Sequence, residues 1–502
     1  MTKEQSISFM DILAELLRFI NEFKLPFQTI HAMADFEAVG QRVYREMKES
    51  MEQSAAPDAF LKTLQANCKE LTAEEDQERI LKAYHICKWM DQVLTYEDTE
   101  DVLTGKLSIY RLIPLRTFSY VEIGALNDNY RETGIWINPK LPIFRSARPL
   151  DNGEEEERPA ASRDAFTGMN GELRNISYFV WNKNCVVHNI LIPYEYEENE
   201  AGDKADGTLK IGFIPVSDRA DLIIPEYRIV KEGRYELNKM FIDSPGYAEE
   251  INARLQKGLE LACTNNVDIV FAPEMLGNEQ TEQRTGNYNL YVRQIYSKAV
   301  MNGEKPPLVT VMPSYWNEET NSAAIIYRDG YIFGRQKKYT PYIDFRSCSM
   351  EGIKQEKRRE IYLIHIYGVH RIAVSICAEF IDSFDSDLIC GQLGATLIIV
   401  PSYSHGERDF MNQLGTLFPY GTGVIWGDCC GAVAHSPKII GGCSIVGHNE
   451  VHRMGSYCQC AYSCGASTGC LFTVELPLKI VMSKEAGVSQ VPIQHILTEV
   501  QG

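Results

Sequence analysis

Residues 371–380 have the sequence Arg-Ile-Ala-Val-Ser-Ile-Cys-Ala-Glu-Phe. The apolar and β-branched side chains before Cys377 predict a buried strand that ends at this cysteine. Residues 394–401, Gly-Ala-Thr-Leu-Ile-Ile-Val-Pro, form a continuous apolar run, which is typical of a central strand covered on both faces. Residues 385–393 between the two strands are long enough for a short helical crossover. Cys377 is therefore predicted at a strand-to-helix corner of an α/β unit, where sheets of this class place ligands.

A cysteine at such a corner has two interpretations. An isolated free cysteine is more often a packed core residue, because cysteine is among the most buried residue types. Two further reactive side chains, Glu274 and Lys338, also follow predicted apolar strands. All three can therefore converge at one edge of a sheet, and this set favours a reactive thiol.

The composition of the chain indicates the broad class of protein to which it belongs. Its 502 residues are enough for two or three domains, and 44% hydrophobic with 24% charged residues is typical of a globular protein. The net charge of −18 argues against a general surface for nucleic acid or anionic membranes. We expect no membrane span, because no apolar run approaches roughly 18 residues. We expect no signal peptide, because the first amphipathic segment contains Asp11, Glu15 and Arg18. The fourteen cysteines are then predicted to be reduced thiols in the cytoplasm.

Hydrophobic periodicity divides the chain into four predicted regions. Helices are predicted near residues 6–23, 35–52 and 73–95. From residue 207 onward, strands alternate with helices, which predicts an α/β layered sandwich. The predicted regions are a helical N-terminal region at 1–100, a mixed α/β or β region with acidic loops at 101–206, an α/β domain at 207–480 and a C-terminal tail at 481–502.

The three reactive side chains have complementary chemistry. A thiol attacks a carbonyl or nitrile carbon only as the thiolate, so Cys377 needs a base or a nearby cation. A carboxylate enclosed by apolar residues, such as Glu274 after Pro273, can serve as that base. Lys338 can hold the site electrostatically and stabilise an oxyanion as it forms. Taken singly, Glu274 and Lys338 would be interpreted as a surface carboxylate and a solvated hairpin lysine.

Short segments around these side chains carry a family resemblance. Phe271-Ala-Pro-Glu274, Arg335-Gln-Lys-Lys338 and Ser375-Ile-Cys377-Ala-Glu379 resemble, in this order, the three signature segments of the nitrilase superfamily of carbon–nitrogen hydrolases. Gly394-Ala followed by Leu-Ile-Ile-Val-Pro-Ser402 resembles the family's strand after the nucleophile, and Gly441-Gly-Cys-Ser444 resembles its later Gly-Gly-Ser segment. The resemblance covers about residues 207–480.

The resemblance implies a fold and a mechanism. The fold is an α-β-β-α sandwich, here preceded by the helical and mixed N-terminal region. In the implied triad, Glu274 is the general base, Lys338 stabilises the oxyanion and Cys377 is the nucleophile, while the amide of Ala378 shares the oxyanion hole. Glu351 is the candidate for a second, assisting glutamate. The implied reaction is hydrolysis of a small-molecule amide or nitrile through a thioester, without metal or organic cofactor, in a homo-oligomer.

The sequence departs from the family pattern near the triad. The lysine segment of the family usually continues with a His-Leu pair, whereas Tyr339-Thr-Pro follows here, so Lys337 is a rival to Lys338. Ala378 stands where an aromatic residue is frequent. The family's Arg-Ala stretch is not evident in residues 405–412. We therefore expect an intact triad with diverged substrate recognition.

Two other functions fit the same resemblance. An N-acyltransferase would use the same thioester. A nitrilase-like binding or assembly module would work with a protein partner docked on residues 1–206, since such domains also occur as accessory parts of larger assemblies, including bacterial defence systems. An intact triad favours chemistry over the module.

A late group of cysteines raises the question of zinc. Cys458, Cys460, Cys464 and Cys470 follow His448 and His452, but their spacing lacks the paired Cys-x-x-Cys knuckles of common structural sites. Reduced cysteines on a hairpin are the favoured interpretation. His405 is interpreted as a solvated loop residue rather than a substrate contact.

Overall fold

The structure is a computed structural model of the chain. It describes residues 3–22, 30–54, 57–72, 76–93, 121–123, 126–127, 129–139, 169–173, 176–181, 184–192, 208–217, 221–243, 245–354, 356–366, 370–432, 439–445, 450–454, 469–477 and 493–497. Most of the predicted mixed region 101–206, including residues 140–168 and 193–206 with their acidic segments, and most of the late cysteine group lie outside the described residues.

Four helices begin the described chain, and runs of strands with interspersed helices follow. The α-helices are α1 Lys3–Glu22, α2 Phe36–Gln53, α3 Pro57–Leu71, α4 Gln77–Val93, α5 Tyr130–Thr133, α6 Met169–Glu172, α7 Ala248–Thr264, α8 Leu290–Met301, α9 Ala378–Asp382 and α10 Arg408–Leu414, with a π-helix Asp387–Gln392 and a 3-10 helix Gly415–Tyr420. The strands are β1 Val121–Ile123, β2 Ile135–Pro139, β3 Ile176–Val180, β4 Cys185–Ile192, β5 Thr208–Phe213, β6 Ile223–Glu232, β7 Tyr235–Asp243, β8 Ile269–Phe271, β9 Arg284–Thr285, β10 Tyr288–Asn289, β11 Val309–Val311, β12 Tyr315–Asn317, β13 Thr320–Tyr327, β14 Ile332–Lys337, β15 Ile343–Asp344, β16 Ser349–Glu351, β17 Arg359–Ile366, β18 His370–Val374, β19 Leu397–Ser402, β20 Gly423–Asp428, β21 Gly441–Ile445, β22 Glu450–Met454, β23 Cys470–Pro477 and β24 Ile493–Leu497.

The N-terminal helices share one buried apolar cluster. Leu13 and Leu17 of α1 lie in it with Ile80 of α4, and so do Ile137 of β2 and Ile176 of β3. Helices α1, α2 and α4 correspond to the three predicted helices, whereas α3 was not predicted. The cluster binds this part of the chain into one packed unit.

Two eight-stranded sheets form the centre of the molecule. Sheet I has the order β1-β4-β17-β18-β19-β20-β21-β22, and sheet II has the order β12-β13-β11-β8-β5-β23-β24, with β14 also paired to β13. Strands β18, β19 and β20 are parallel neighbours, as the apolar runs around Cys377 and Ile398 predict. The fold is therefore of the mixed α/β class that was predicted.

The two sheets pack face to face because their side chains alternate between two apolar surfaces. Ile211, Phe213 and Phe271 of sheet II share a buried cluster with the strands of sheet I. Val270 and Ile326 of sheet II instead join α7 and α8 in a second cluster.

Sheet I is covered by a helix on its other side. Phe410 of α10 stacks on Trp426 of β20 with a ring-centroid distance of 4.8 Å. The adjacent Gly427 is where sheet I meets the Phe213 ring of sheet II.

The sequence before residue 207 contributes to sheet I. Strand β4 pairs with β17 in parallel over eight residues, from Cys185 opposite Arg359 to Ile192 opposite Ile366, and β1 pairs with β4. The predicted boundary at 206/207 therefore separates strands of one hydrogen-bonded sheet. At the other end, β24 lies within the predicted tail 481–502 and pairs with β23.

A third, smaller sheet lies close to the candidate site. Sheet III has the order β15-β16-β7-β6, and its strand β16 ends at Glu351. Its outer end carries exposed apolar side chains, among them Ile229, Tyr235 and Phe345. Among the described residues, no helix has both the length and the apolar composition that crossing a bilayer requires.

The contact between the two central sheets gives a first prediction. A Cβ atom on Gly427 would overlap the Phe213 ring, so Gly427→Ala forces the sheets apart. We expect a loss of about 1–3 kcal/mol in the free energy of unfolding, measured with urea. Gly406→Ala is the control, because nothing lies within 4 Å of its added Cβ. Equal stability of the two variants would contradict this account of sheet packing.

Candidate active site

The three predicted side chains come from different strands and meet at one edge of the two sheets. Glu274 lies three residues beyond β8, Lys338 directly follows β14, and Cys377 lies three residues beyond β18. The backbone locks these strand ends together. The amide of Glu274 donates to the carbonyl of Ser402, that of Lys338 to Asn321 and that of Cys377 to Pro401. Rigid strand ends therefore hold each side chain in place.

Lys338 is the centre of a buried hydrogen-bond network. Its Nζ donates to Oε1 of Glu274 and to Oε2 of Glu351, both at 2.7 Å. The Nδ2 of Asn321 donates to Oε1 of Glu274 at 2.9 Å and to Oε1 of Glu351 at 3.2 Å. The backbone amide of Tyr342 donates to Oε2 of Glu351 at 2.8 Å. Both carboxylates are thereby tied to the same ammonium and the same amide group.

Burial and charge act together on this network. Side chains of Glu274, Lys338 and Glu351 are almost completely removed from solvent. Burial alone would lower the pKa of Lys338, but the carboxylates of Glu274 and Glu351 outweigh it and hold the pKa above its usual value. Burial, together with the charge of Glu274, raises the pKa of Glu351 despite Lys338. The lysine is consequently an ammonium at neutral pH.

Cys377 occupies a strained turn between β18 and α9. Its φ of 50° is in a region that residues other than glycine rarely adopt. Such a conformation costs about 1–3 kcal/mol and persists only where the surrounding structure enforces it. Met275, which follows Glu274, has a φ of 60°. Backbone strain therefore occurs beside two of the three reactive side chains.

The electrostatics of Cys377 link it to the other two residues. Burial and then the Glu274 carboxylate raise the pKa of the Cys377 thiol well above its usual value. The Lys338 ammonium and a hydrogen bond from the Tyr403 backbone act in the opposite direction. A hydrogen bond between Cys377 and the Glu274 carboxylate also raises the pKa of the thiol. Within the described part of the chain, no nitrogen or oxygen donor bonds to Oε2 of Glu274. This oxygen is therefore available as a proton acceptor.

The structure separates the two neighbouring lysines. Lys337 pairs with Glu356 at 2.9 Å and is partly exposed, whereas Lys338 is the lysine bonded to Glu274. Glu351, suggested only by the resemblance, is the second carboxylate on Lys338. Ala378 begins α9 directly after Cys377. His405 donates from Nδ1 to the carbonyl of Ala432 at 2.8 Å.

Sequence reasoning missed two polar residues of the site. Asn321 lies in β13, and its amide group bridges the two carboxylates. Glu379, two residues after Cys377, is buried, and burial raises its pKa to about 7 although Arg359 and Lys338 lower it. The only sign of these two residues in the sequence is a polar side chain within a strand or a short helix. Such a side chain does not identify a site on its own.

The described residues offer no cluster of three or more histidine, cysteine or acidic side chains able to hold a metal ion. Cys458, Cys460, Cys464 and His448 lie outside the described residues. Sγ of Cys470 in β23 and Nε2 of His495 in β24 lie 3.0 Å apart.

Comparisons with known proteins give distant structural neighbours. No family model matches the chain, and no curated protein matches its sequence. An amidase from Nesterenkonia sp. is 12% identical, covers 55% of this chain and 94% of its own, and has a TM-score of 0.33. A mutant of the Nesterenkonia AN1 amidase from the nitrilase superfamily is 11% identical over 54% of this chain and 90% of its own, with a TM-score of 0.34. A glutamine-dependent NAD+ synthetase from Acinetobacter baumannii, in complex with ADP, is 14% identical, covers 54% of this chain and 45% of its own, and has a TM-score of 0.33. All three TM-scores are below 0.5, so these neighbours carry no argument about the function of this chain. A proposed function has to rest on the contacts within the site.

The lysine network gives a second prediction. Lys338→Met leaves two buried carboxylates without their cation, so we expect a loss of about 3–5 kcal/mol in unfolding free energy, measured with urea. Adding Glu351→Gln should recover part of this loss, because it removes one uncompensated charge. Lys337→Met is the matched control and should cost less than about 1 kcal/mol, since it breaks a partly exposed ion pair. Similar losses for the two lysine variants would contradict the network.

Glu379 gives a pH prediction. Its pKa is raised by burial to about 7 in the folded chain, against about 4.3 in an unfolded chain. The proton therefore binds more tightly to the folded state, and the stability it contributes at low pH is lost as pH rises through 7. Relative to Glu379→Gln, the wild type should lose up to about 1.4 kcal/mol per unit between pH 5 and 7 and then level off. A difference in urea unfolding energy that stays constant over this range would contradict the assignment.

Proposed function

We propose that this protein is a cysteine-dependent hydrolase of non-peptide carbon–nitrogen bonds, of the amidase type. The observation that carries the proposal is the contact of the Lys338 ammonium with Glu274 and Glu351 beside the strained Cys377. Glu274 is the general base, Lys338 the oxyanion stabiliser and Cys377 the nucleophile. Small-molecule amides or nitriles are the proposed substrates.

Acylation of the enzyme follows from these positions. Glu274 accepts the proton of Cys377 through Oε2, and the sulfur attacks the carbonyl carbon of the amide. The C=O π electrons move to oxygen, and the Lys338 ammonium with the Ala378 amide stabilises this oxyanion. When the C–N bond breaks, the proton on Glu274 moves to the leaving nitrogen. The products of this half-reaction are an amine, or ammonia, and a thioester on Cys377.

Deacylation uses the same groups again. Glu274 removes a proton from water, and the hydroxide attacks the thioester carbon. The C–S bond breaks, the sulfur takes the proton back from Glu274, and a carboxylic acid leaves. Glu351 touches neither sulfur nor substrate in this scheme. It positions Lys338, because it accepts the second hydrogen bond of the ammonium.

Fold and sequence add support to the proposal. Helices α7 and α8 pack on sheet II, the two sheets pack together, and α10 packs on sheet I, an arrangement that fits the implied α-β-β-α sandwich. The signature segments that resemble the nitrilase superfamily are those that carry Glu274, Lys338 and Cys377. An acyltransferase would differ only in the acceptor of the thioester. Homo-oligomerisation and a protein partner on residues 1–206 stay predictions.

The proposal is tested by following acylation and product release. The protein is incubated with a pool of small primary amides, and intact mass, released ammonia and carboxylic acid are measured. We expect an acyl adduct on Cys377 that hydroxylamine converts to a hydroxamate. Cys377→Ala and Glu274→Gln should each lower the rate of ammonia release by more than about 10³-fold.

A matched cysteine variant controls this experiment. Cys348 is an exposed free cysteine, so Cys348→Ala should keep the wild-type rate. Products in which an added amine replaces water would show an acyltransferase instead. If iodoacetamide labels Cys377 no faster in wild type than in Glu274→Gln, and no amide in the pool is hydrolysed, the assigned roles are wrong and a non-catalytic module becomes the better hypothesis.

A further inference from the structure

A cavity of about 640 Å³ lies beside the segments that carry Lys338 and Cys377. Its walls come from β14, β17, β18, α9 and the π-helix. Gln336 and Tyr339 flank Lys338 in the sequence, and Ser375 and Glu379 flank Cys377; all four line the cavity. Glu274, Lys338 and Cys377 are not among its lining residues. The cavity is thus separate from the proposed catalytic centre, although it borders the same backbone.

Two buried side chains on the cavity wall have unpaired oxygens. Oγ of Ser375 and Oε2 of Glu379 make no hydrogen bond with any described residue. The two residues are only 3% and 8% exposed. An unsatisfied buried polar atom destabilises the folded chain, so a ligand that hydrogen-bonds to both oxygens removes this destabilisation. Their positions point to a hydrogen-bond donor in the cavity.

The charges around the cavity favour a positively charged ligand as the hydrogen-bond donor. Acidic lining residues outnumber basic ones, and Glu356 is already paired with Lys337. The acidic residues are Glu356, Glu360, Glu379, Asp385 and Asp387, and the basic ones are Lys357 and Arg359. An anion would meet a net negative wall, and an apolar molecule would leave both oxygens unpaired.

We propose that this cavity binds a small organic cation. Its ammonium or guanidinium group donates hydrogen bonds to Oε2 of Glu379 and Oγ of Ser375, and its carbon chain lies against Phe384 and Leu388. Asp385 and Asp387 at the exposed side of the cavity attract the cation. The proposal rests on the cavity and its charges, and it holds whether or not Cys377 is catalytic.

Titration of the full-length protein with n-butylammonium chloride at pH 8, followed by ligand-observed NMR, tests this proposal. Wild type should bind n-butylammonium saturably, whereas the neutral isostere 1-butanol should bind at least about tenfold more weakly. Glu379→Gln should weaken n-butylammonium binding by about tenfold or more, because it removes the charged acceptor. Asp385→Asn tests the same charge effect at an exposed position, because asparagine can still accept the hydrogen bond that the Leu388 amide donates to Oδ1 of Asp385, and a severalfold loss is expected.

Two controls locate the binding. Glu249→Gln, an exposed acidic residue of α7 outside the cavity lining, should bind as wild type does. Cys377→Ala should also keep wild-type affinity, so the result does not depend on the proposed catalysis. Absence of saturable binding, equal binding of 1-butanol, unchanged affinity in both Glu379→Gln and Asp385→Asn, or loss of binding in Cys377→Ala would each overturn the proposal.

Discussion

The buried ammonium of Lys338 is the interaction on which the rest of the site depends. A lysine taken out of water needs a carboxylate, and two carboxylates taken out of water need a cation. Glu274 and Glu351 meet that need from two distant strands, and each is 2.7 Å from the same nitrogen. None of the three could be buried alone at acceptable cost. The contact therefore joins sheet II to sheet III and fixes the position of the proposed base at the same time.

The same network bears on the reaction that we propose for the buried thiol of Cys377. When Glu274 accepts the thiol proton, the negative charge moves from the carboxylate to sulfur. A proton that passes from Cys377 to Glu274 stays within the buried group of Glu274, Lys338, Glu351 and Cys377, so the net charge of the group does not change. Burial therefore opposes this transfer much less than it opposes loss of a proton to solvent. In the proposed mechanism the ammonium of Lys338 keeps its charge throughout, as stabilisation of an oxyanion requires.

Residues at strand ends could be predicted from the sequence, and residues defined by distant contacts could not. The apolar runs before Glu274 and Cys377, and the Asp329-Gly330 turn before Lys338, are local patterns, and the structure has strands at these places. Glu351 came only from the family resemblance, since β16 has three residues and little pattern of its own. Asn321 is a single amide in a strand, and its function depends on two carboxylates 47 and 30 residues away. The boundary at 206/207 followed a local acidic segment, whereas the β4–β17 pairing joins residues far apart in sequence.

That pairing changes what residues 1–206 can do. Strand β4 forms eight residue pairs with β17, so a chain cut at 207 would leave β17 as an unpaired edge next to β18, the strand that precedes Cys377. An exposed apolar edge of this kind favours aggregation. The part of the chain before residue 207 is therefore not a separate domain as a whole, because its strand β4 belongs to the sheet whose strand β18 precedes Cys377. The predicted partner-binding role is best tested in helices α1–α4. These helices share a core with β2 and β3, and this core contains no residue of β4.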